Sequence, residues 1–269
     1  MRTLSNTVII REGASLATFD VRKVERIQVR IYSTKQELGK AAAQHAAERI
    51  QAVLSRKETA NLLFSTGASQ FEFVAALREF DIPWDRVDAF HLDEYLGISA
   101  DHPASFRLWL RTRVETPLRP RMFHYIEGDA ADAEAECRRY EKLLGEHPID
   151  VGFIGIGENG HIAFNDPPVA DFDDPRAVKI VELDEACRRQ QVGEGWFPTI
   201  SDVPTHAITL TVPQIMKCAE IISVVPDLRK AKAVKDALSG PLSERCPASI
   251  LRTHPRATLY LDRDSASLL

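Results

Sequence analysis

From residue 26 to the end of the chain, short β-branched runs alternate with amphipathic stretches, and this alternation constrains the fold more than any other feature of the sequence. Residues 26–32 (RIQVRIY) alternate as a strand does, and from Lys35 the apolar residues Leu38, Ala42, Ala46, Ile50 and Val53 recur at helical spacing. The same reading predicts strands over 61–65, 86–92 and 150–156 and helices over 70–80, 105–114 and 131–147. The last third offers strands at 177–183, 207–212, 220–226 and 257–262, and a helix over 229–240 closed by Gly240 and Pro241. No internal repeat or low-complexity linker interrupts the series. Strands that keep alternating with helices predict βα units, and so an α/β fold around a mainly parallel sheet. Ligands of such sheets bind beyond the carboxyl ends of the strands, so the chemistry is expected there.

Length and charge narrow the class. A chain of 269 residues with 44% hydrophobic and 27% charged residues can bury a large core as one domain. A net charge of -5 supplies no field for nucleic acid or an anionic membrane, and Arg111, Arg113, Arg119 and Arg121 read as solvated helix and loop faces. Cys137, Cys187, Cys218 and Cys246 form no C-x-x-C pair, so neither a zinc knuckle nor a redox motif is expected, and a reducing cytoplasm fits best. The apolar run before Arg11 is too short for a signal peptide, and no segment approaches the roughly 18 apolar residues of a membrane span.

Three strand ends carry polar residues. GIGENGHIAFNDPP (155–168) holds the spacing G-x-G-x-x-G, but a dinucleotide fingerprint needs a long helix after its third glycine, and Pro167 and Pro168 forbid one. What remains is a glycine turn that gathers Glu158, Asn159, His161, Asn165 and Asp166. His161 and Asp166 are spaced to form an imidazole held by a carboxylate, suited to acid–base work near neutral pH, although a histidine bonded to a loop carbonyl is as good a reading. In FSTGASQFEF, the turn Ser65-Thr66-Gly67-Ala68-Ser69 joins a strand to a helix and suits a phosphate, while Ser69 with Glu72 also matches a capping box. It is no Walker loop. In DAFHLDEYLGI, Asp93 and Glu94 end a strand; successive residues point opposite ways, so at most one enters a given pocket. A desolvated carboxylate there could move a proton at carbon, and a carboxylate that merely caps the next turn is equally compatible.

Taken in order, FSTGAS, FHLDEYLG with HPASF after it, and GIGENGHIAFNDPP resemble the glucosamine-6-phosphate deaminase (isomerase) family, from about residue 30 through VPTHAITLTVPQIM, LRKAKAV and SILRTHP. The resemblance implies a Rossmann-like three-layer α/β/α fold, with residues 31–269 as a single domain and 1–30 as an N-terminal extension packed on it or leading into it. It implies conversion of glucosamine 6-phosphate, or a closely related amino-sugar phosphate, and water to fructose 6-phosphate and ammonia, with no metal and no organic cofactor. By motif, Asp93 would carry the proton between C2 and C1 and His161 would open the pyranose ring, with Asn159 and Asp166 in its motif. Thr66, Gly67, Ala68, Ser69 and Lys230 would hold the phosphate. Asn159 stands where many members have Asp, Asp166 where they have Glu, and 187–197 (CRRQQVGEGWF) lacks a clear counterpart of an arginine that assists phosphate binding in some members. The related 6-phosphogluconolactonases share the fold and the phosphate turn, but Ile162, Phe164, Asn165 and Asp166 follow the deaminase pattern. The competing expectations are therefore a lactonase-type hydrolase and a sugar-phosphate-binding protein without turnover. A homo-oligomer is left open.

Overall fold

The structure, a computed structural model, describes residues 20–269. In chain order the strands are β1 (Asp20–Val24), β2 (Ile27–Tyr32), β3 (Ala60–Phe64), β4 (Val87–His91), β5 (Asp93–Tyr95), β6 (Met122–His124), β7 (Val151–Ile154), β8 (Val178–Glu182), β9 (His206–Leu210), β10 (Glu220–Val225) and β11 (Ala257–Asp262). The α-helices are α1 (Lys35–Leu54), α2 (Phe71–Leu77), α3 (Phe106–Leu110), α4 (Thr116–Leu118), α5 (Ala133–Glu146), α6 (Glu185–Gly193), α7 (Val212–Ile215) and α8 (Ala231–Ser239). Eight strands form the central sheet in the order β1-β2-β11-β10-β7-β3-β4-β6, parallel throughout except for the antiparallel β1–β2 edge.

The central strands are apolar on both faces because helices cover both. Leu62, Phe64, Ile222 and Val224 pack with α1 and α2, whereas their neighbours Leu63, Ile221 and Val225 pack against α8 and Tyr140 of α5 on the other side. Two separate cores on the two faces make the three-layer α/β/α arrangement. Helix α1 starts at a capping box, in which Thr34 Oγ1 accepts from Glu37 N and Glu37 returns the bond to Thr34 N, each at 3.2 Å. Gly39 lets α2 lie directly on it, since a Cβ there would come within 2.7 Å of the Glu72 backbone carbon.

Three features differ from the sequence reading. The run 86–92 is broken at Leu92, and β5 leaves the parallel sheet to pair with β9 in a second, antiparallel sheet of order β5-β9-β8. The strands at 177–183 and 207–212 therefore lie outside the central sheet. Their burial fits this placement: Lys179 and Ile180 are only half-buried, as in a sheet covered on one side. Helix α6 and the short β6 were not anticipated. Of the expected N-terminal extension, residues 20–24 and 27–30 are strand residues at the sheet edge, and residues 1–19 lie outside the described residues. Among the described residues no helix is long and apolar enough to cross a membrane.

Candidate active site

Sheet growth reverses between β3 and β7. From β3 the chain steps out to β4 and β6, then returns to β7 on the other side of β3 and continues to β10 and β11. At such a switch point the loops leaving neighbouring strands diverge and open a crevice. Here the crevice is an open cleft of about 600 Å³, lined by the turn after β3 (65–70), Leu92 and Asp93, Phe106, residues 155–157 with His161, Ala163 and Phe164, then Gln190, Gln191 and Glu194 of the α6 segment, and Lys230.

The turn after β3 forms one end. Gly67 has φ +101°, a conformation open to glycine, and the N–H groups of Thr66, Gly67, Ala68 and Ser69 donate to no acceptor among the described residues. The anticipated Ser69–Glu72 capping box does not form. The N-cap position of α2 is Gln70, which makes no side-chain cap bond, and the Glu72 carboxylate instead lies 3.5 Å from Lys35 Nζ. Gln70 is tied elsewhere, its Nε2 donating to Val224 O at 3.1 Å. Ser65 Oγ is buried at the same end without a hydrogen-bond partner among the described residues. Lys230, only 3% exposed, has no carboxylate within 4 Å among the described residues. Burial lowers its pKa, and the more distant Glu194 and Glu158 only partly offset that. Free amides and a buried, uncompensated ammonium lining one cleft are groups suited to an anion.

At the other end the β4–β5 break aims Asp93 into the cleft and turns Glu94 away, as alternation requires. The two carboxylates have opposite surroundings. Glu94 accepts from Tyr95 N, Ser105 Oγ, Phe106 N and Arg107 N at 2.8–3.1 Å and so fixes the start of α3. Asp93 accepts no hydrogen bond among the described residues. Burial, then the charges of Glu94 and Asp166, push its pKa well above the ordinary carboxylate range.

His161 faces the cleft from the glycine turn. No helix follows Gly160, in keeping with the failed dinucleotide fingerprint. The imidazole lies against the α-carbon of Gly157, where a Cβ would come within 2.2 Å of ring atoms Cε1 and Nε2. Behind the ring, Nδ1 is 2.8 Å from Asp166 Oδ1. Asn159 joins the two, its Nδ2 donating to Asp166 Oδ1 at 2.8 Å and its Oδ1 accepting from His161 N at 3.1 Å. Asp166 is fully buried. Desolvation would raise its pKa, but the adjacent His161, with Asn159 and Cys187, outweighs burial and holds the carboxyl below its usual value. Asn159 and Asp166 thus stand behind the cleft wall, whereas the other residues predicted for the site line it.

Helix α6 contributes residues the sequence reading missed. Asp184 caps it, accepting from Cys187 N at 3.0 Å, and Gln190 Nε2 donates to Glu194 Oε1 at 2.8 Å while Gln190 Oε1 accepts from Glu158 N at 3.1 Å. Trp196 Nε1 fixes the other Glu194 oxygen at 3.1 Å. An Asp followed by Glu at 184–185 was the available signal for this helix start.

Residues 33–260 match the family model described as glucosamine-6-phosphate isomerases/6-phosphogluconolactonase. A glucosamine-6-phosphate deaminase of Bacillus cereus (strain B4264) is 36% identical over 242 residues, covering 90% of this chain and 89% of that protein. One from Listeria innocua is 36% identical over 229 residues, covering 85% and 96%. Among solved structures, a monomeric glucosamine-6-phosphate deaminase superposes with a TM-score of 0.81 at 31% identity, covering 90% of this chain and 99% of that one. The 6-phosphogluconolactonase of Trypanosoma brucei, at 18% identity and a TM-score of 0.74 over 92% of this chain and 100% of that one, shares the fold.

Proposed function

Because the chain belongs to the glucosamine-6-phosphate isomerase/6-phosphogluconolactonase family, we propose that it is a glucosamine-6-phosphate deaminase, releasing ammonia and fructose 6-phosphate from the amino-sugar phosphate and water. One observation carries the reading to this chain's own residues: Asp93, an unpartnered buried carboxylate, and His161, backed by Asp166, share a cleft whose far end holds free amides and the buried Lys230. The phosphate dianion is received by the N–H groups of Thr66, Gly67, Ala68 and Ser69 and by the Lys230 ammonium. This fixes the sugar with its reacting carbons toward Asp93.

His161, held by Asp166 and Asn159, moves a proton between the anomeric hydroxyl and the ring oxygen, and the pyranose opens to the aldehyde. Asp93 then removes the proton from C2, which the neighbouring carbonyl acidifies, and O1 takes up a proton from solvent, giving an enolamine. The same carboxylic acid returns the proton to C1, leaving an iminium at C2 that water hydrolyses to the ketone and ammonium. A carboxylate whose pKa is raised by burial is a stronger base toward carbon than an exposed one. The balance needs no oxidant and no reductant. The expected substrate is glucosamine 6-phosphate, with other hexosamine 6-phosphates as the alternatives that share its chemistry.

Purified protein should release ammonia and a ketose 6-phosphate from glucosamine 6-phosphate with neither metal nor nucleotide added. Galactosamine 6-phosphate and 6-phosphogluconolactone belong in the same assay. Faster hydrolysis of the lactone than of any amino sugar would overturn the reading in favour of the lactonases, and binding without turnover would make the chain a sugar-phosphate receptor.

A further inference from the structure

Behind the His161 ring three different donor atoms converge. His161 Nδ1, an Asp166 carboxylate oxygen and Cys187 Sγ lie within 4.8 Å of one another, brought together from the turn after β7 and the first turn of α6. Asp166 and Cys187 are buried, and the His161 side chain is 12% exposed, on the cleft side. Nδ1 lies 2.8 Å from Asp166 Oδ1, and Asp166 Oδ2 is buried with no nitrogen or oxygen donor among the described residues, the Cys187 thiol lying beside the carboxylate. A buried carboxylate oxygen in this condition is uncommon.

A nitrogen, an oxygen and a sulfur are a donor set that suits four-coordinate zinc, with one further position for a small ligand. Bonds of about 2.0–2.3 Å place tetrahedral donor atoms about 3.3–3.7 Å apart, so side-chain rotations of roughly an ångström bring the three into register. We propose that His161, Asp166 and Cys187 form a binding site for a thiophilic divalent cation, Zn²⁺ above all, whose occupation blocks the enzyme. On binding, Cys187 gives up its thiol proton to solvent as the S–Zn bond forms, neutral His161 binds through Nδ1 with its proton on Nε2, and water fills the fourth position. Nothing is oxidised or reduced. The imidazole is then locked in one tautomer and no longer exchanges a proton during ring opening. The block rests on the deaminase reading; the binding itself does not.

The untagged full-length chain should take up one Co²⁺ with a thiolate-to-metal absorption band that Zn²⁺ displaces and Mg²⁺ does not. Zn²⁺ should depress ammonia release at least tenfold, with a chelator restoring it. Cys187→Ser should lose the band and bind Zn²⁺ at least tenfold more weakly, whereas Cys246→Ser, altering the one cysteine that is not fully buried, should keep both. His161→Gln supplies a second reading if Cys187→Ser does not fold: its Zn²⁺ affinity should fall at least tenfold. No thiolate band in the wild type, or undiminished binding in either variant, overturns the site. Co²⁺ binding is read without substrate, so a chain that bound the metal and released no ammonia would refute the deaminase reading and leave the metal site standing.

Discussion

In the proposed reaction Asp93 couples the cost of a buried charge to catalysis. Its pKa is raised in the fold, so the neutral form is favoured there; its contribution to stability is full below the unfolded value of about 3.9 and is lost as pH rises through the raised folded value. Asp93→Asn removes that cost while preserving size. The variant should melt at a higher temperature than the wild type at pH 7–8 and lose ammonia release by about 10² or more, the loss expected for a general base. In the wild type the acid limb of kcat should lie above the ordinary carboxylate range, because Asp93 must be ionised to act. A limb at the ordinary position, or a variant that still exchanges the substrate's C2 proton with heavy water, would remove Asp93 from the reaction. Gly157 makes a separate prediction. A methyl group there would overlap the His161 ring, so Gly157→Ala should cut kcat at least tenfold with the circular dichroism spectrum unchanged. The room at this glycine turn is taken by the imidazole. Spacing alone made the His161–Asp166 pair legible, because the two lie five residues apart on one turn. Gln190 and Glu194 were not legible, since nothing local to α6 tells which of its faces meets a cleft formed by strands far away in the chain.

At the scale of elements, Glu94 ties the end of β5 to the start of α3. A carboxylate that accepts three N–H groups and a hydroxyl does the work of an N-cap from outside the helix. Gln at this position would turn an NH₂ group toward donors, so Glu94→Gln should lower the unfolding free energy by about 2–3 kcal/mol, the scale for charged hydrogen bonds, as measured in urea. A loss below 0.5 kcal/mol would mean that solvent replaces those bonds. The same junction shows why some elements were readable and others were not. β3, β10 and β11 are mostly apolar runs buried along their whole length, and α1 announces itself by a regular apolar stripe. β5 and β6 have three residues each, too few to show a period, and the break at Leu92 depends on pairing with β9, more than a hundred residues later. Strands β8 and β9 were recognised as strands, but their sheet was not: pairing partners are a tertiary choice that alternation within one strand does not encode.

Over the whole molecule, the cleft draws on residues from Ser65 to Lys230 and exists only when both sheets and α6 are in place. A ligand of this site therefore binds the folded state alone and must stabilise all of it. At about one hundred times its dissociation constant, fructose 6-phosphate should contribute about 2.7 kcal/mol. For a chain of this size that amounts to about 5–10 °C in Tm. Lys230 separates this linkage from ordinary stability because its own sign is opposite. Burial lowers the Lys230 pKa, which marks the ammonium as a charge the fold holds at a cost when no anion faces it. Lys230→Ala should then melt higher than the wild type without ligand, yet gain less than half as much from fructose 6-phosphate, and its KM for the amino-sugar phosphate should rise more than its kcat falls. Fructose without the phosphate should shift neither protein. Scanning calorimetry of the two proteins, each with and without the two sugars, reads all of these signs together. An equal shift in wild type and Lys230→Ala would place the phosphate away from Lys230, and an equal shift by fructose would deny the free amides of 66–69 their anion.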